Sequence, residues 1–160
     1  MLTTVEAAFV AALASATTWP VRWPNNAWPD TVTNLSDGNM PLDDHGRPAP
    51  AIEAEIIAGK PETLAIGKGS DGKRTQRMDG ILRLYLSVGL GTGRTAIVAQ
   101  ADALRDAFTR LTLVDNPADG ERLVTEDARI DDGIAPYEEG NRFDRTVTVP
   151  FTYLFKTAQK

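Results

Sequence analysis

The sequence predicts an α+β fold: a mostly antiparallel β-sheet with an N-terminal helix and a central amphipathic helix packed on one face. Three observations predict it. Gly80-Ile-Leu-Arg-Leu-Tyr-Leu-Ser-Val88 alternates, with Leu82, Leu84, Leu86 and Val88 on one side and Arg83 and Tyr85 on the other. That is the period of a strand with one apolar face. From Thr95 the period lengthens to that of a helix: Ile97, Ala101, Leu104, Phe108 and Leu111 form a stripe, and Asp102, Arg105, Asp106 and Arg110 lie off it. Finally, most of the strands predicted below follow one another through connections too short for a crossover, so they pair antiparallel.

The strand and the helix should form the heart of the core. Gly89-Leu-Gly91-Thr-Gly93 separates them as a turn whose glycines admit positive φ. An amphipathic helix must lie on something apolar, and the nearest apolar face is the strand just before it. Burying Ile97, Leu104, Phe108 and Leu111 contributes roughly 1.5–3 kcal/mol each. Asp106 and Arg110 stand one turn apart and are expected to pair, worth a few tenths of a kcal/mol.

The chain of 160 residues suggests one domain spanning 1–160. Its 42% hydrophobic and 24% charged content is ordinary for a globular protein. A net charge of −5 argues against nucleic-acid binding by bulk electrostatics. With no cysteine and a single histidine, His45, disulfides, thiolate metal sites and multi-histidine sites are excluded. No apolar run reaches the ~18 residues that would span a bilayer, so no membrane partner is expected.

At the N-terminus, Ala14-Ser-Ala16 has the small residues of a signal-peptidase site. No Lys or Arg precedes Arg22, however, and Glu6 interrupts the apolar run, whereas a secretory signal opens with positive charge. The segment reads as a helix, with Thr3 and Glu6 at capping-box spacing and Val5, Phe9, Leu13 and Ala16 on one face. Assembly inside the cell follows from that reading.

Thr17 to Pro29 holds all three tryptophans, and Trp19, Trp23 and Trp28 each precede a proline. Proline biases its predecessor to extended geometry, so the segment is extended. The tryptophans either cover an open side of the core or form a subunit interface, where tryptophan is enriched. Val32 to Pro50 is a long loop by composition and carries His45 as a solvated residue. Ala51 to Ala58 is a strand closed by Gly59-Lys60-Pro61, and Leu64-Ala-Ile66 is a short second one. Gly67 to Asp79, with Lys68, Lys73, Arg74 and Arg77, is a basic, flexible hairpin tip leading into the central strand. Asp115 to Arg145 sets ten carboxylates against four arginines, a net of −6, and Leu123 to Ile130 forms a strand within it. Arg142 to Phe155 is the last strand. Phe143, Arg145, Val147, Val149, Phe151, Tyr153 and Phe155 share one face; Thr146, Thr148 and Thr152 share the other. Pro150 cannot donate to a ladder and belongs at a sheet edge or bulge.

Familiar site motifs fail on detail. Gly67-Lys-Gly-Ser-Asp-Gly-Lys73 begins like a phosphate-binding loop, but Arg74 stands where Ser or Thr must hold magnesium, and a strand follows where a helix should. Gly89-Leu-Gly-Thr-Gly93 lacks the glycine spacing and the later acidic residue of a dinucleotide fingerprint. Asp115 to Glu126 approaches an EF-hand loop, but Pro117 offers no side-chain oxygen at the third position. Asp131-Asp132 and Glu138-Glu139 are neighbours in sequence only, and adjacency is not convergence. No catalytic residue, cofactor or metal site is assigned.

Taken in order, these pieces resemble the tail terminator proteins of long-tailed bacteriophages and related phage-derived particles. The matching features are the short N-terminal helix and the extended Trp23-Pro24-Asn25. A return strand follows, opening Arg77-Met-Asp-Gly80 and continuing Ile-Leu-Arg-Leu-Tyr-Leu. The Gly91-Thr-Gly93 turn leads into the alanine-rich helix Ile97 to Phe108, and a final strand ends Val147-Thr-Val-Pro-Phe-Thr-Tyr153. The resemblance covers most of the chain, except Val32 to Pro50. It implies a non-enzymatic ring of six copies that caps the tail tube protein and stops its polymerisation. It implies a joint to a head-connector or head-completion protein, and DNA passing through the bore without specific binding. The implied location is the virion, at the head–tail junction, after assembly in the host cytoplasm. Trp19, Trp23 and Trp28 would then serve the subunit interface. Lys68, Lys73, Arg74 and Arg77 would meet the acidic or polar rim of a neighbouring ring. The alternatives are a head-completion or other neck or tail-junction protein and, in a different class, a small calcium- or ligand-binding module.

Overall fold

A computed structural model describes residues 2–64, 72–89, 94–131 and 142–158. In chain order the elements are helix α1 (Leu2–Ala16), strands β1 (Val21–Arg22), β2 (Asn34–Leu35), β3 (Pro41–Leu42), β4 (Ala51–Ala58), β5 (Glu62–Thr63) and β6 (Lys73–Gly89), helix α2 (Arg94–Phe108), and strands β7 (Thr112–Asn116), β8 (Glu121–Thr125), β9 (Arg129–Asp131) and β10 (Arg142–Ala158). The main sheet runs β1-β4-β6-β10-β8-β7, with β5 beside β6 and β9 beside β10. All its pairings are antiparallel except β1 with β4. The α+β class, the mostly antiparallel sheet and the two helices on one face agree with expectation.

The spine is the pairing of β6 with β10 along all 17 residues of each, from Lys73 opposite Ala158 to Gly89 opposite Arg142. On one face of this ribbon Leu82, Leu84, Leu86 and Val88 meet Val147, Val149, Phe151, Tyr153 and Phe155, all buried, and Ile52 and Ala54 of β4 extend the row. The helices close over it. Val5, Phe9 and Leu13 face inward from α1, and Ile97, Ala101, Leu104 and Phe108 from α2. Phe9 ties the layers together, its ring 5.3 Å from Phe151 on β10 and 6.2 Å from Phe108 on α2. Such tilted and edge-on pairs add to the area they bury. Helix α2 lies chiefly on β10 and less on β6.

Several expectations are corrected. Helix α1 already begins at Leu2, so Thr3 sits inside it rather than capping it. Helix α2 stops at Phe108, and Arg110 takes a left-handed turn (φ 54°) that swings Leu111 out of the helix while keeping it against the core. That turn also points Arg110 at Asp127 (2.7 Å), while Asp106 pairs with Arg105 (2.8 Å); the expected Asp106–Arg110 pair does not form. Val32 to Pro50 is not all loop, since β2 and β3 make a small hairpin within it. The short second strand is Glu62–Thr63, not Leu64-Ala-Ile66, and Ala65 and Ile66 lie outside the described residues. Lys73 to Asp79 is strand, not a flexible tip, because β10 offers it a ladder partner at every position. β7 went unforeseen, and Leu123 to Ile130 is two strands broken at Glu126–Ala128. The turn at 90–93, the tip residues 67–71, and Asp132, Glu138 and Glu139 lie outside the described residues.

Pro150 is not on an edge strand. It stands in β10, opposite Ile81 on one side. On the other side β9 pairs with Thr146–Thr148 and β8 with Phe151–Leu154. Glu126 donates its N–H to the Pro150 carbonyl (2.9 Å). A residue's N–H and C=O point the same way from a strand, so the absent N–H of Pro150 faces the break between β8 and β9, where no ladder bond is lost.

Candidate interaction surface

Residues that alternate with the core row point to the opposite side of the sheet. These are Glu53, Glu55 and Ile57 on β4, Arg77, Asp79, Ile81, Arg83 and Tyr85 on β6, and Thr146, Thr148, Pro150 and Thr152 on β10. Both helices lie on the other face, so this one carries the polar residues, as a one-sided antiparallel sheet should. Its side chains bond across strands. Thr152 Oγ1 donates to Asp79 Oδ1 (2.7 Å), Thr148 Oγ1 to Asp131 Oδ2 (2.9 Å) and Tyr85 Oη to Glu55 Oε2 (3.1 Å). Arg77 pairs with Asp79 (2.9 Å), and Arg22 with Glu53. Burial pushes the Asp79 carboxyl up, but the Thr152 hydroxyl and the Arg77 guanidinium outweigh it and hold the group below the usual carboxylate range. Asp144 goes the other way: burial raises it, against the pull of Arg142.

One end of this open face is covered. The β2–β3 hairpin folds onto it, and Trp28, Met40 and Ala51 form a second, smaller apolar cluster beneath, with Val32 against it. The buried Arg142 holds the hairpin down. Its guanidinium donates to the carbonyls of Pro41 (2.6 Å) and Ala49 (2.9 Å) and to Ser87 Oγ (3.3 Å).

The tryptophans chiefly serve as cover. Trp23 joins the main core, and Trp19 packs partly buried against it. Trp28 is buried in the smaller cluster, donates Nε1 to the Asn39 carbonyl (2.7 Å) and carries Arg22 4.6 Å above its ring. The expected extended path of Thr17 to Pro29 is corrected here: after Trp23 the chain makes a tight turn, closed by Asn26 N–H on the Trp23 carbonyl (3.1 Å), with Pro24 first and Asn25 at φ 63°, the Pro-Asn pattern of a type II turn. This turn roofs a cleft of about 630 Å³ whose floor is Glu53, Glu55 and Tyr85.

The basic residues nominated from sequence lie elsewhere. Lys68 is outside the described residues. Lys73, Arg74 and Arg77 occupy the start of β6, roughly 26–40 Å from Tyr85 at the tryptophan end at ~3.3 Å per residue. The structure therefore does not bring the two groups together. The cleft-floor residues Glu53, Glu55 and Tyr85 went unselected. Their only signal is alternation within two strands, which marks a face but not what covers it. His45 is exposed at the β3 hairpin turn. Asp115 to Glu126 forms the β7–β8 hairpin, where Asn116 donates to Asp119 (2.7 Å). Among the described residues no group of three His, Asp or Glu side chains could hold a metal ion. No described helix is long and apolar enough to cross a membrane.

No protein-family model matches the chain, and no curated protein matches it. Among solved structures, one whose name says nothing of its function aligns over 100% of this chain and 99% of its own, with a TM-score of 0.55 and 16% identity. At that identity the likeness shows the fold alone.

Proposed function

We propose that this chain is a tail terminator of a long-tailed phage or a related particle: a ring of six copies that caps the tail tube, stops its growth and provides the joint to the head connector. The observation that carries the reading is the order of parts along the chain. An N-terminal helix is followed by the Trp23-Pro24-Asn25 turn, a long strand passing through Arg77-Met78-Asp79-Gly80, an amphipathic helix, and a terminal strand through Val147 to Tyr153. Two physical features support it. The sheet's two outer edges, β1–β4 and β7, are unlike, and a ring needs a head-to-tail contact between differing patches. The chain is net acidic at −5, which suits a bore that DNA must traverse without being gripped.

The test is tube growth. Tail tube subunits polymerised with the purified protein should stop at shorter lengths, and electron micrographs should show extra density closing one end. An unchanged length distribution with bare ends would reject the reading.

A further inference from the structure

The outer side of β4 is covered for only part of its length. Gly59 donates its N–H inward to the Asp79 carbonyl on β6 (2.8 Å), and Ile52 donates outward to the Pro20 carbonyl (3.0 Å). Backbone groups alternate along a strand, so odd-numbered residues of β4 bond to β6 and even-numbered ones point out. β1 covers the outer side only at Ile52 and Glu53, before Pro24 turns the chain over the cleft. Farther along, the N–H and C=O of Ile56 and Ala58 face outward with no partner strand among the described residues.

This open stretch adjoins the cleft. Glu55, next to Ile56, belongs to the cleft floor and accepts one hydrogen bond, from Tyr85 Oη (3.1 Å). It joins no ion pair among the described residues, not even with Arg83 directly opposite on β6. Arg22, the one cation lining the cleft, is held by Glu53. The cleft therefore carries a carboxylate that its own cation does not balance. Two residues along the same face, Ile57 is 40% exposed.

We infer that Ile56 to Ala58 is the docking edge for an extended basic segment of a partner protein, which adds a strand beside β4 and sets an arginine or lysine against Glu55 at the mouth of the cleft. Strand addition takes its affinity from ladder amides and its specificity from the side chains that alternate beside them. Opposite charges on adjacent strands favour pairing, and like charges oppose it. That disfavours a second copy as the occupant. β4, β5 and β7 carry Glu53, Glu55, Glu62 and Asp115 and no lysine or arginine. Arg22 of β1 and Arg129 of β9 already pair with Glu53 and Asp131. A foreign segment supplies the cation, with an apolar side chain two positions away to cover Ile57. The inference goes beyond the ring reading and does not depend on it.

The probe is an acetylated peptide, Thr-Val-Thr-Arg-Thr-Val-Thr, titrated against the full chain with tryptophan fluorescence as the readout, since Trp23 lines the cleft. Binding should saturate. In the free protein the amides of Ile56 and Ala58 should exchange faster than those of Glu55 and Ile57, and the peptide should slow them selectively. Glu55→Lys should weaken binding about tenfold or more and reverse the preference toward a peptide with Glu in place of Arg. Ala58→Pro deletes one outward N–H and spares the bonds to β6; it should weaken binding while protection of Leu82 to Val88 stays unchanged. Absence of binding overturns the inference. So does binding that ignores both variants or leaves Ile56 and Ala58 unprotected. If the chain instead self-associates, Ala58→Pro returns it to the 17.3 kDa monomer and the peptide has no effect, the occupant is a second copy and the inference fails.

Discussion

Arg142 donates its guanidinium to the carbonyl oxygen of Pro41 at 2.6 Å, across 101 residues of chain. With the bonds to Ala49 and Ser87, one buried cation joins the end of the central strand to a hairpin whose own ladder is two residues long. Arg142→Met removes all three bonds, and the Pro41 carbonyl keeps only its backbone partner, the Ala49 N–H (3.0 Å). The expected cost is about 2–4 kcal/mol by denaturant unfolding, since hydrogen bonds to charged groups are worth more than neutral ones. The loss should be local first. Amide exchange should accelerate across Ser36 to Ala49 well before it does in Leu82 to Val88. Unchanged protection of the hairpin would show that the small cluster under Trp28 holds it without the latch.

Gly80 and Phe151 stand opposite each other on β6 and β10. A Cβ at Gly80 would lie 2.4 Å from the Phe151 ring and 2.9 Å from the Ile57 carbonyl, so the ring lies across the bare backbone. Gly80→Ala should therefore destabilise by about 1–3 kcal/mol through overpacking. Phe151→Leu vacates part of that space. The double variant should be more stable than the sum of the two losses predicts, by about 1 kcal/mol. Simple additivity in a denaturation cycle would count against the contact.

The central strand, α2, α1 and β10 were legible because each carries an uninterrupted period of two or of three to four, and β4 because Gly59-Lys60-Pro61 closes it too soon for a helix. Legibility failed where partners, not periods, decide. Lys73 to Asp79 has no apolar alternation, yet β10 opposes it at every residue and draws it into the sheet. β7 hides in a segment rich in Asp, Asn and Pro, and its pairing with β8 is visible only in three dimensions. The tryptophans signalled burial or contact correctly as a class. Their residue type could not say that the chain's own hairpin and core would take up Trp23 and Trp28. The cleft floor was illegible for the converse reason. Glu53, Glu55 and Tyr85 look like any solvated face until the Trp23–Asn26 turn is seen to roof them.

Asp79 and Asp144 should give opposite pH signatures. The Asp79 carboxyl is held below its unfolded value near ~3.9. Its contribution is present above about pH 4 and is lost as pH falls through the lowered value. Asp79→Asn should thus be less stable than wild type at neutral pH, with the gap closing in acid. Asp144 is raised above that reference by burial, so the folded state keeps its proton longer and stability falls as pH rises past about 4. Asp144→Asn should be the more stable protein at neutral pH, and this gap too should vanish in acid. Urea unfolding across pH 3 to 7 separates the two, and differences of the same sign would contradict the assignment.

Thr125 closes the C-terminal end of α2. Its hydroxyl donates to the Phe108 carbonyl, the last of the helix, and accepts from the Leu111 N–H (2.8 Å). Its own backbone N–H meets the Leu111 carbonyl (2.8 Å). The side chain is buried, so water cannot replace it cheaply when it is removed. Thr125→Val keeps the shape and deletes both hydroxyl bonds, leaving a carbonyl and an amide unsatisfied at the point where Arg110 turns the chain from helix into β7. That should cost about 2–4 kcal/mol. Thr125→Ser retains the hydroxyl and should recover most of the loss, forfeiting only a methyl's worth of burial, about 1 kcal/mol. If Ser and Val prove equally damaging in unfolding titrations, the residue acts through packing alone, and the end of α2 is fixed by Arg110 and its neighbours.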